Sequence, residues 1–228
     1  MKFIIIGLGN FGSKIAEILT GMGNEVIGVD RSLDKAESLK EKISHTIALD
    51  STDPVAVSNL PIKDTDIVMI CIGEDEGANL MATALIKQHH PKRLISRAVN
   101  ALHETILESM GIEEIVHPEE EAAIRWAKKL SIKGVIESYE LTEDYNIVEV
   151  KVPPKYIGKT LGEINLRAKY NLLVLTTIQV TEEQNVLGKM HNINKIRGVA
   201  SADTVLHADD LLVLYGNIYD IRRILKDS

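Results

Sequence analysis

The segment Gly7-Leu8-Gly9-Asn10-Phe11-Gly12 constrains this chain more than any other, because of what stands on either side of it. Before it runs Phe3-Ile4-Ile5-Ile6, a short apolar stretch of the kind that forms a strand buried on both faces. After it Phe11, Ile15, Ile18, Leu19 and Met22 recur at helical spacing and predict a helix with one apolar face. A G-x-G-x-x-G between a strand and a helix has a mechanical reading. The first glycine makes a tight turn, the second lets backbone approach a phosphate, and the third lets helix and strand pack closely. The helix N-terminus then supplies N–H donors to the anion. Asp30, eighteen residues beyond Gly12, closes a second apolar run, Val26–Val29. At that spacing an acid is placed to accept both ribose hydroxyls of an adenosine. A 2′-phosphate would face that carboxylate, which disfavours NADP, although Arg31 next to it eases the repulsion.

The same alternation continues. Thr46–Leu49, Ile67–Ile72, Arg93–Ser96 and Ile115–His117 are further short strands, and Leu80, Met81, Ala84 and Leu85 mark a helix between two of them. Strand–helix alternation at this pitch gives an α/β fold, a Rossmann-like doubly wound parallel sheet of six strands. At 117 the rhythm breaks. Pro118 suits the first position of a helix, and Glu119, Glu120 and Glu121 occupy the turn where the helix dipole favours negative charge. This crossover helix extends to about Ser131 and is apolar on more than one side, so its own sheet plus a second subunit is one way to cover it. We place the domain boundary after it: 1–134 for the nucleotide-binding domain, 135–228 for a small α+β C-terminal domain. The latter reads as strands over 135–141, 147–152, 172–179 and 211–215, a helix over 161–169, a last helix over 218–225, and a loop or ragged hairpin over 181–201.

Several function classes are excluded by composition. With 26 Lys and Arg against 33 Asp and Glu, the chain carries −7 and lacks the positive field that nucleic acid needs. No apolar run approaches the ~18 residues of a bilayer span. The single cysteine, Cys71, lies inside an apolar run, so no disulfide framework exists and a reducing cytosol fits. The seven histidines show no zinc spacing.

Candidate ligand contacts gather at the carboxyl ends of the predicted strands, where open α/β sheets bind ligands. Asp50 and Ser51 follow the third strand and are placed for the adenine edge, while Asp53-Pro54 has the form of a helix cap and first turn. Gly73 follows the fourth strand as a backbone contact; Glu74, Asp75 and Glu76 read as helix-start charges, since three acids would repel a pyrophosphate. Arg97 ends the fifth strand, with a phosphate or carboxylate partner, or a salt bridge across a subunit boundary, equally open. Glu119 is either a first-turn charge favoured by the dipole or a hard ligand for Mg²⁺ or Ca²⁺. A hydride-transfer enzyme would also need an acid–base group against a nicotinamide, and the second half offers only His191 and His207 with no convergent partners. A nucleotide sensor is therefore favoured over an NAD-dependent oxidoreductase.

GLGNFG, the VD ending the second strand, LDSTD, SRAVN after the fifth strand and IVHPE before the crossover helix resemble the RCK (regulator of K⁺ conductance) domain. INLRAKYN at 164–171 and DDLLVLYG at 209–216 resemble its C-terminal lobe, and the length fits the Trk/Ktr-type subunits. The resemblance implies a cytoplasmic homo-oligomer, usually an eight-chain ring, docked at the inner face of the membrane on a TrkH/KtrB-like K⁺ transport subunit. It also implies ATP, ADP or NAD(H) gating the pore from the first lobe, with no catalysis. By that resemblance Gly7, Gly9, Asn10, Phe11 and Gly12 match the phosphate loop, Asp30 the ribose acid, and Asp50 with Ser51 the adenine contacts. Glu119 matches a carboxylate near an inter-subunit cation site of some relatives. Many relatives carry arginine where Asn10 stands, which weakens a preference for ATP. The proline-rich strand that lines a cyclic di-adenosine monophosphate site in certain relatives is missing around 199–202, which disfavours that ligand. A stand-alone nucleotide sensor is the remaining alternative.

Overall fold

The computed structural model describes residues 1–131, 134–184 and 190–226. The chain divides into two compact units, Met1–Glu121 and Ala122–Ser228.

In the first unit β1 (Lys2–Ile6), β2 (Glu25–Asp30), β3 (His45–Ala48), β4 (Ile67–Ile70), β5 (Leu94–Arg97) and β6 (Glu114–Val116) form one six-stranded sheet in the order β3-β2-β1-β4-β5-β6. Every adjacent pair is parallel. The expected doubly wound sheet is present. Its central strands are buried along nearly their whole length because both faces are covered. Alternate residues feed two cores. Ile4, Ile6, Val29, Val68 and Ile70 pack on one side with Val57, Ala82 and Ile86, whereas Phe3, Ile5, Val26 and Met69 pack on the other with Ala16, Leu39 and Ile43. Helices α1 (Asn10–Gly21), α2 (Leu33–Ser38), α3 (Pro54–Ser58), α4 (Glu76–Gln88) and α5 (Ala101–Ser109) connect the strands. The buried face of α1 is turned slightly from the expected one. Phe11, Gly12, Ile15, Ala16 and Leu19 face the sheet, while Ile18 and Met22 stay exposed, because the i, i+4 row running from Phe11 already fills the contact.

Helix α6 (Pro118–Ser131) follows, with its three glutamates in the first turn as anticipated. Three of its apolar residues, Ile124, Trp126 and Leu130, are 46, 53 and 78% exposed in the single chain.

The second unit is built on five antiparallel strands in the order β10-β9-β11-β8-β7. These are β7 (Val135–Glu140), β8 (Tyr145–Lys151), β9 (Leu173–Gln184), β10 (Met190–Ile196) and β11 (Asp210–Asn217). Their inner face packs Val148, Val150, Leu212 and Leu214 against Leu206, Ile164, Ile221 and Ile224. The last two come from α9 (Ile218–Lys226). Two details differ from the sequence expectation. The single helix over 161–169 is two short ones, α7 (Leu161–Ile164) and α8 (Leu166–Tyr170), because Asn165 adopts the left-handed conformation (φ 50°) and caps α8. The loop-or-hairpin region is a hairpin: β9 extends to Gln184 and pairs antiparallel with β10, from Met190 opposite Gln184 to Ile196 opposite Ile178. The residues 185–189 lie outside the described ones. No helix among the described residues is long and apolar enough to cross a membrane.

Ile70 is fully buried at the sheet centre, in the cluster it shares with Ile4 and Ile86. Ile70→Ala is expected to cost about 2–5 kcal/mol, read as a lowered urea midpoint at unchanged slope. A loss below about 1 kcal/mol would contradict this packing.

Candidate ligand site in the beta1-alpha1 crevice

The carboxyl ends of β1 to β5 border a cavity of about 500 Å³. Strand order reverses at β1, so the crevice opens between β1 and β4.

Gly7 makes the turn out of β1 with φ 96°, a conformation glycine alone adopts without strain, and its N–H is held by the Val29 carbonyl at 2.8 Å. A side-chain carbon on Gly12 would stand 2.9 Å from Cβ of Cys71 and closer still to the Gly7 carbonyl oxygen, so only glycine lets α1 come this near. At Gly9 the same carbon would meet nothing within 4 Å: its open side is the cavity. The three glycines therefore divide their work as the motif requires.

The start of α1 differs from its neighbours. Side chains cap α2 (Ser32), α3 (Asp53), α4 (Asp75) and α5 (Asn100) by accepting first-turn N–H groups. At α1 the capping position is Gly9, without a side-chain acceptor, and the first turn holds no acid. The amide donors at the cavity floor are left to an outside acceptor, and the helix dipole favours an anionic one.

Asp30 is buried (9% exposed) and is more than a ligand contact. Its Oδ2 accepts the Leu8 N–H at 2.7 Å and its Oδ1 the Ser32 N–H at 2.9 Å. One carboxylate thus ties the end of β2 to the glycine loop and to the cap of α2. A carboxylate has about four acceptor positions, so both oxygens keep capacity for hydroxyl donors.

Of the sequence-predicted residues, Gly7, Gly9, Asn10, Asp30, Arg31, Asp50, Ser51, Gly73 and Arg97 all border the cavity. Phe11 and Gly12 do not; Gly12 is buried against Gly7 and Cys71, and Phe11 packs toward the sheet beneath Arg97, whose guanidinium lies 5.8 Å from its ring. Asp50 spends Oδ1 on the Thr52 N–H (2.9 Å) and hydroxyl (2.7 Å), which hold its carboxyl below the usual range, with Arg31 adding to the effect. Asp75 caps α4 through the Ala78 N–H, and Glu76 sits in that helix's first turn, as helix-start charges should; Glu74 and Asp75 nevertheless border the cavity, a place that the sequence reading denies them because of charge repulsion. Arg31 also faces Asp75 across the crevice at 3.8 Å. Lys35 and Met81 border the cavity without having been foreseen. Lys35 stands one helical turn past the Ser32 cap, a spacing that could have flagged it, while exposed Met81 carried no signal in sequence.

Arg97 has a specific arrangement. Its guanidinium lies on Gly73, where a side-chain carbon would stand 2.7 Å from Nη2. Nη2 donates to Glu119, Nη1 reaches the Cys71 carbonyl at 3.4 Å, and Nε is buried without a partner. The carboxylate partner is thus in the arginine's own chain. Behind the site, the fully buried Asn79 donates to the carbonyls of Ile72 (2.7 Å) and Arg97 (3.0 Å), and its Oδ1 accepts from Ser96. That network clamps the ends of β4 and β5 and fixes where Arg97 begins. His191 lies in β10 and His207 just before β11, both in the second unit, and no histidine borders the cavity among the described residues.

Strand order, glycine turn and uncapped helix define a Rossmann-type ligand-binding module. A family model, the TrkA-N domain, matches residues 3–118. The chain belongs to this TrkA-N/RCK family. It is 31% identical over 225 residues to Ktr system potassium uptake protein C of Bacillus subtilis (strain 168), covering 99% of this chain and 96% of that one. It is 29% identical over 227 residues to Ktr system potassium uptake protein A of the same organism, covering 100% and 96%. Among solved structures, the GsuK RCK domain aligns with a TM-score of 0.62 at 17% identity, covering 98% of this chain and 46% of that chain. The GsuK channel bound to NAD aligns at 0.61, also at 17% identity, covering 96% and 38%. The chain spans less than half the length of those structures, and at such identity they speak for the fold.

Burial pushes the Cys71 thiol from its ordinary 9.0 up to about 12, the nearby Arg97 charge opposing this. The thiol stays protonated, and inert, in the native chain. Ellman's reagent at pH 8 is expected to label Cys71 at once in denaturant and far more slowly without it; equal rates would contradict its burial. Because the folded value is the raised one, this group's contribution to stability is complete below about pH 9 and is lost as pH rises through about 12.

Proposed function

We propose that this chain is the nucleotide-sensing regulatory subunit of a membrane K⁺ uptake system, and that an adenine nucleotide in the β1–α1 crevice is its signal. The observation that carries the ligand is the uncapped start of α1 at the floor of a cavity bordered by a glycine turn and a buried acid. The near full-length similarity to two Ktr system potassium uptake proteins supports the transport role.

In this reading the diphosphate rests on the amides of Asn10, Phe11 and Gly12, the ribose hydroxyls donate to Asp30, and the adenine edge meets Ser51 beside Asp50. Arg31 and Lys35 flank the ribose end, Gly73 and Arg97 the far end. NAD(H), ADP and ATP share the adenosine diphosphate moiety that this set addresses. The GsuK channel's NAD-bound form is consistent with such a ligand on the same fold. A divalent ion is less well served: the described residues of one chain contain no group of three or more His, Cys, Asp or Glu suited to hold one, and Glu119 is engaged by Arg97.

A ligand that is a signal must bind two conformations unequally, typically by about 1–3 kcal/mol per site. A ring of copies, eight by resemblance, multiplies that bias, and the exposed Ile124, Trp126 and Leu130 of α6 support self-association. The ring would then act on a TrkH/KtrB-like membrane partner. No acid–base side chain of the crevice is assigned a chemical step.

Calorimetric titration with ADP and with NADH tests the ligand. Wild type is expected to bind at least one, and Asp30→Ala to weaken binding tenfold or more while still unfolding cooperatively, with some stability lost through the freed Leu8 and Ser32 amides. Unchanged titrations, or steady consumption of NADH with a carbonyl compound, would overturn the reading. Co-expression with a multi-span K⁺ transporter should raise K⁺ uptake in transport-deficient cells, and Asp30→Ala should abolish the rise.

A further inference from the structure

Charge is unevenly divided along this chain. Residues 1–121 hold 11 Lys and Arg against 20 Asp and Glu, whereas residues 122–228 hold 15 against 13. In a chain of net charge −7 the second unit is therefore the cationic one. Part of its positive charge is gathered on α9. Ile218, Ile221, Ile224 and Leu225 pack into the core of that unit. This turns Tyr219, Arg222, Arg223 and Lys226, spaced i, i+3, i+4 and i+7, to the opposite side of the helix. All four are exposed.

Neighbouring elements extend this face. Arg223 donates from Nη2 to the Lys169 carbonyl at 2.7 Å, which sets the end of α8 against α9, and its guanidinium lies 5.1 Å from the Tyr170 ring. The Tyr156 hydroxyl donates to that of Tyr170 at 3.4 Å, and the Lys155 ammonium stands 4.9 Å from the Tyr156 ring. Lys155, Lys169, Arg222, Arg223 and Lys226 thus lie along one connected surface. Asp220 meets Arg223 at 3.3 Å, and Asp227 follows Lys226 in the sequence. Among the described residues Lys169, Arg222 and Lys226 form no ion pair. The helix dipole accounts for cations in the last turn of α9, not for Lys155 in the turn Pro154–Tyr156.

We propose that this basic face of α8 and α9 docks on a surface of anionic lipid headgroups. It rests on the placement beside a membrane transport subunit proposed above. A specific protein interface is organised around an apolar or aromatic anchor seated in a pocket. Here the apolar residues of α9 all point inward, and the outward side carries long, flexible cations. A headgroup layer offers many negative charges with no fixed geometry, which such side chains meet without an anchor. Tyr219, 67% exposed at the start of the same helix face, has the apolar body and polar tip that suit the headgroup boundary. Because the apolar side of α9 already packs in the core, the contact is adsorption through charge and not insertion, and salt screens it.

The test is co-sedimentation of the intact chain with phosphatidylcholine vesicles prepared with and without phosphatidylglycerol. Wild type is expected to bind only the vesicles that carry the anionic lipid, and to be released as salt rises from about 0.1 M to about 1 M. Lys169→Gln, Arg222→Gln and Lys226→Gln together should weaken this binding at least about tenfold. Arg222→Lys should bind like wild type, since a headgroup layer takes charge and does not read a planar fork. Neutralising as many cations in the first unit, by Lys14→Gln, Lys40→Gln and Lys63→Gln, should leave binding unchanged. No binding to either vesicle, equal binding to both, wild-type binding by the triple variant in α8 and α9, or an equal loss in the first-unit control overturns the proposal. So does a wild type that ignores vesicles but is held through the same three residues by the detergent-solubilised transport subunit, which would assign the face to a protein partner. Circular dichroism checks that each variant is folded, and Arg222→Glu alone, at an exposed position, should reproduce the direction of the loss. Titrations of the triple variant with ADP and NADH should match wild type, so these outcomes leave the nucleotide reading intact. Failure of co-expression to raise K⁺ uptake overturns the transport reading instead.

Discussion

One buried carboxylate holds the working end of this molecule together. Asp30 lies at the tip of β2, and each of its oxygens accepts a backbone N–H, from Leu8 in the glycine loop and from Ser32 at the start of α2. Burying a charge is expensive unless its hydrogen bonds are made, and these two are charge-assisted. Because the loop is pinned from the side, α1 begins at the crevice, where Gly9 and Asn10 border the cavity, with no side chain capping its first turn. The glycines around them serve the same end, one turning the chain, one leaving the cavity side open and one letting α1 approach the sheet. The fold keeps a set of unsatisfied donors available by satisfying an acceptor next to them.

Much of this was legible in the sequence where a local pattern and the tertiary environment demand the same residues. Ile4–Ile6 and Ile67–Ile70 read as strands buried on both faces because parallel strands between two helical layers tolerate little else. Asp53-Pro54 and Asp75 read as helix starts because capping is a local requirement. The pattern failed where it was not under that double constraint. In β9 and β10 residues such as Thr181, Glu182, Asn192 and Asn194 are paired by main-chain bonds at the edge of a sheet, and no alternation of apolar residues marks them. The helix over 161–169 broke because Asn165 can enter the left-handed region, an option that its helical neighbours conceal.

The site was legible in the same uneven way. Glycine spacing and the acid after β2 are fixed by backbone geometry, so they could be read along the chain. Arg97 could be placed at the crevice but not given its partner, since Glu119 is twenty-two residues away and joins it only because α6 begins beside the end of β5. The double role of Asp30 was hidden too: the motif names it for a ribose, while the structure shows that it first holds the loop. Asn79, Thr83 and Ser96 were invisible as a group, because three small polar residues on two elements become a network only once α4 packs against β4 and β5.

Of all the features described, the open amides at the start of α1 are the ones on which the account stands or falls. The direct measurement is a ¹⁵N-resolved nuclear magnetic resonance titration of the intact chain with ADP, following the backbone amides of Asn10, Phe11 and Gly12. Saturable downfield proton shifts at these positions, larger than those at the capped starts of α4 and α5, are the result the account predicts. Amides that stay put while ADP is bound elsewhere, or is not bound at all, would contradict it.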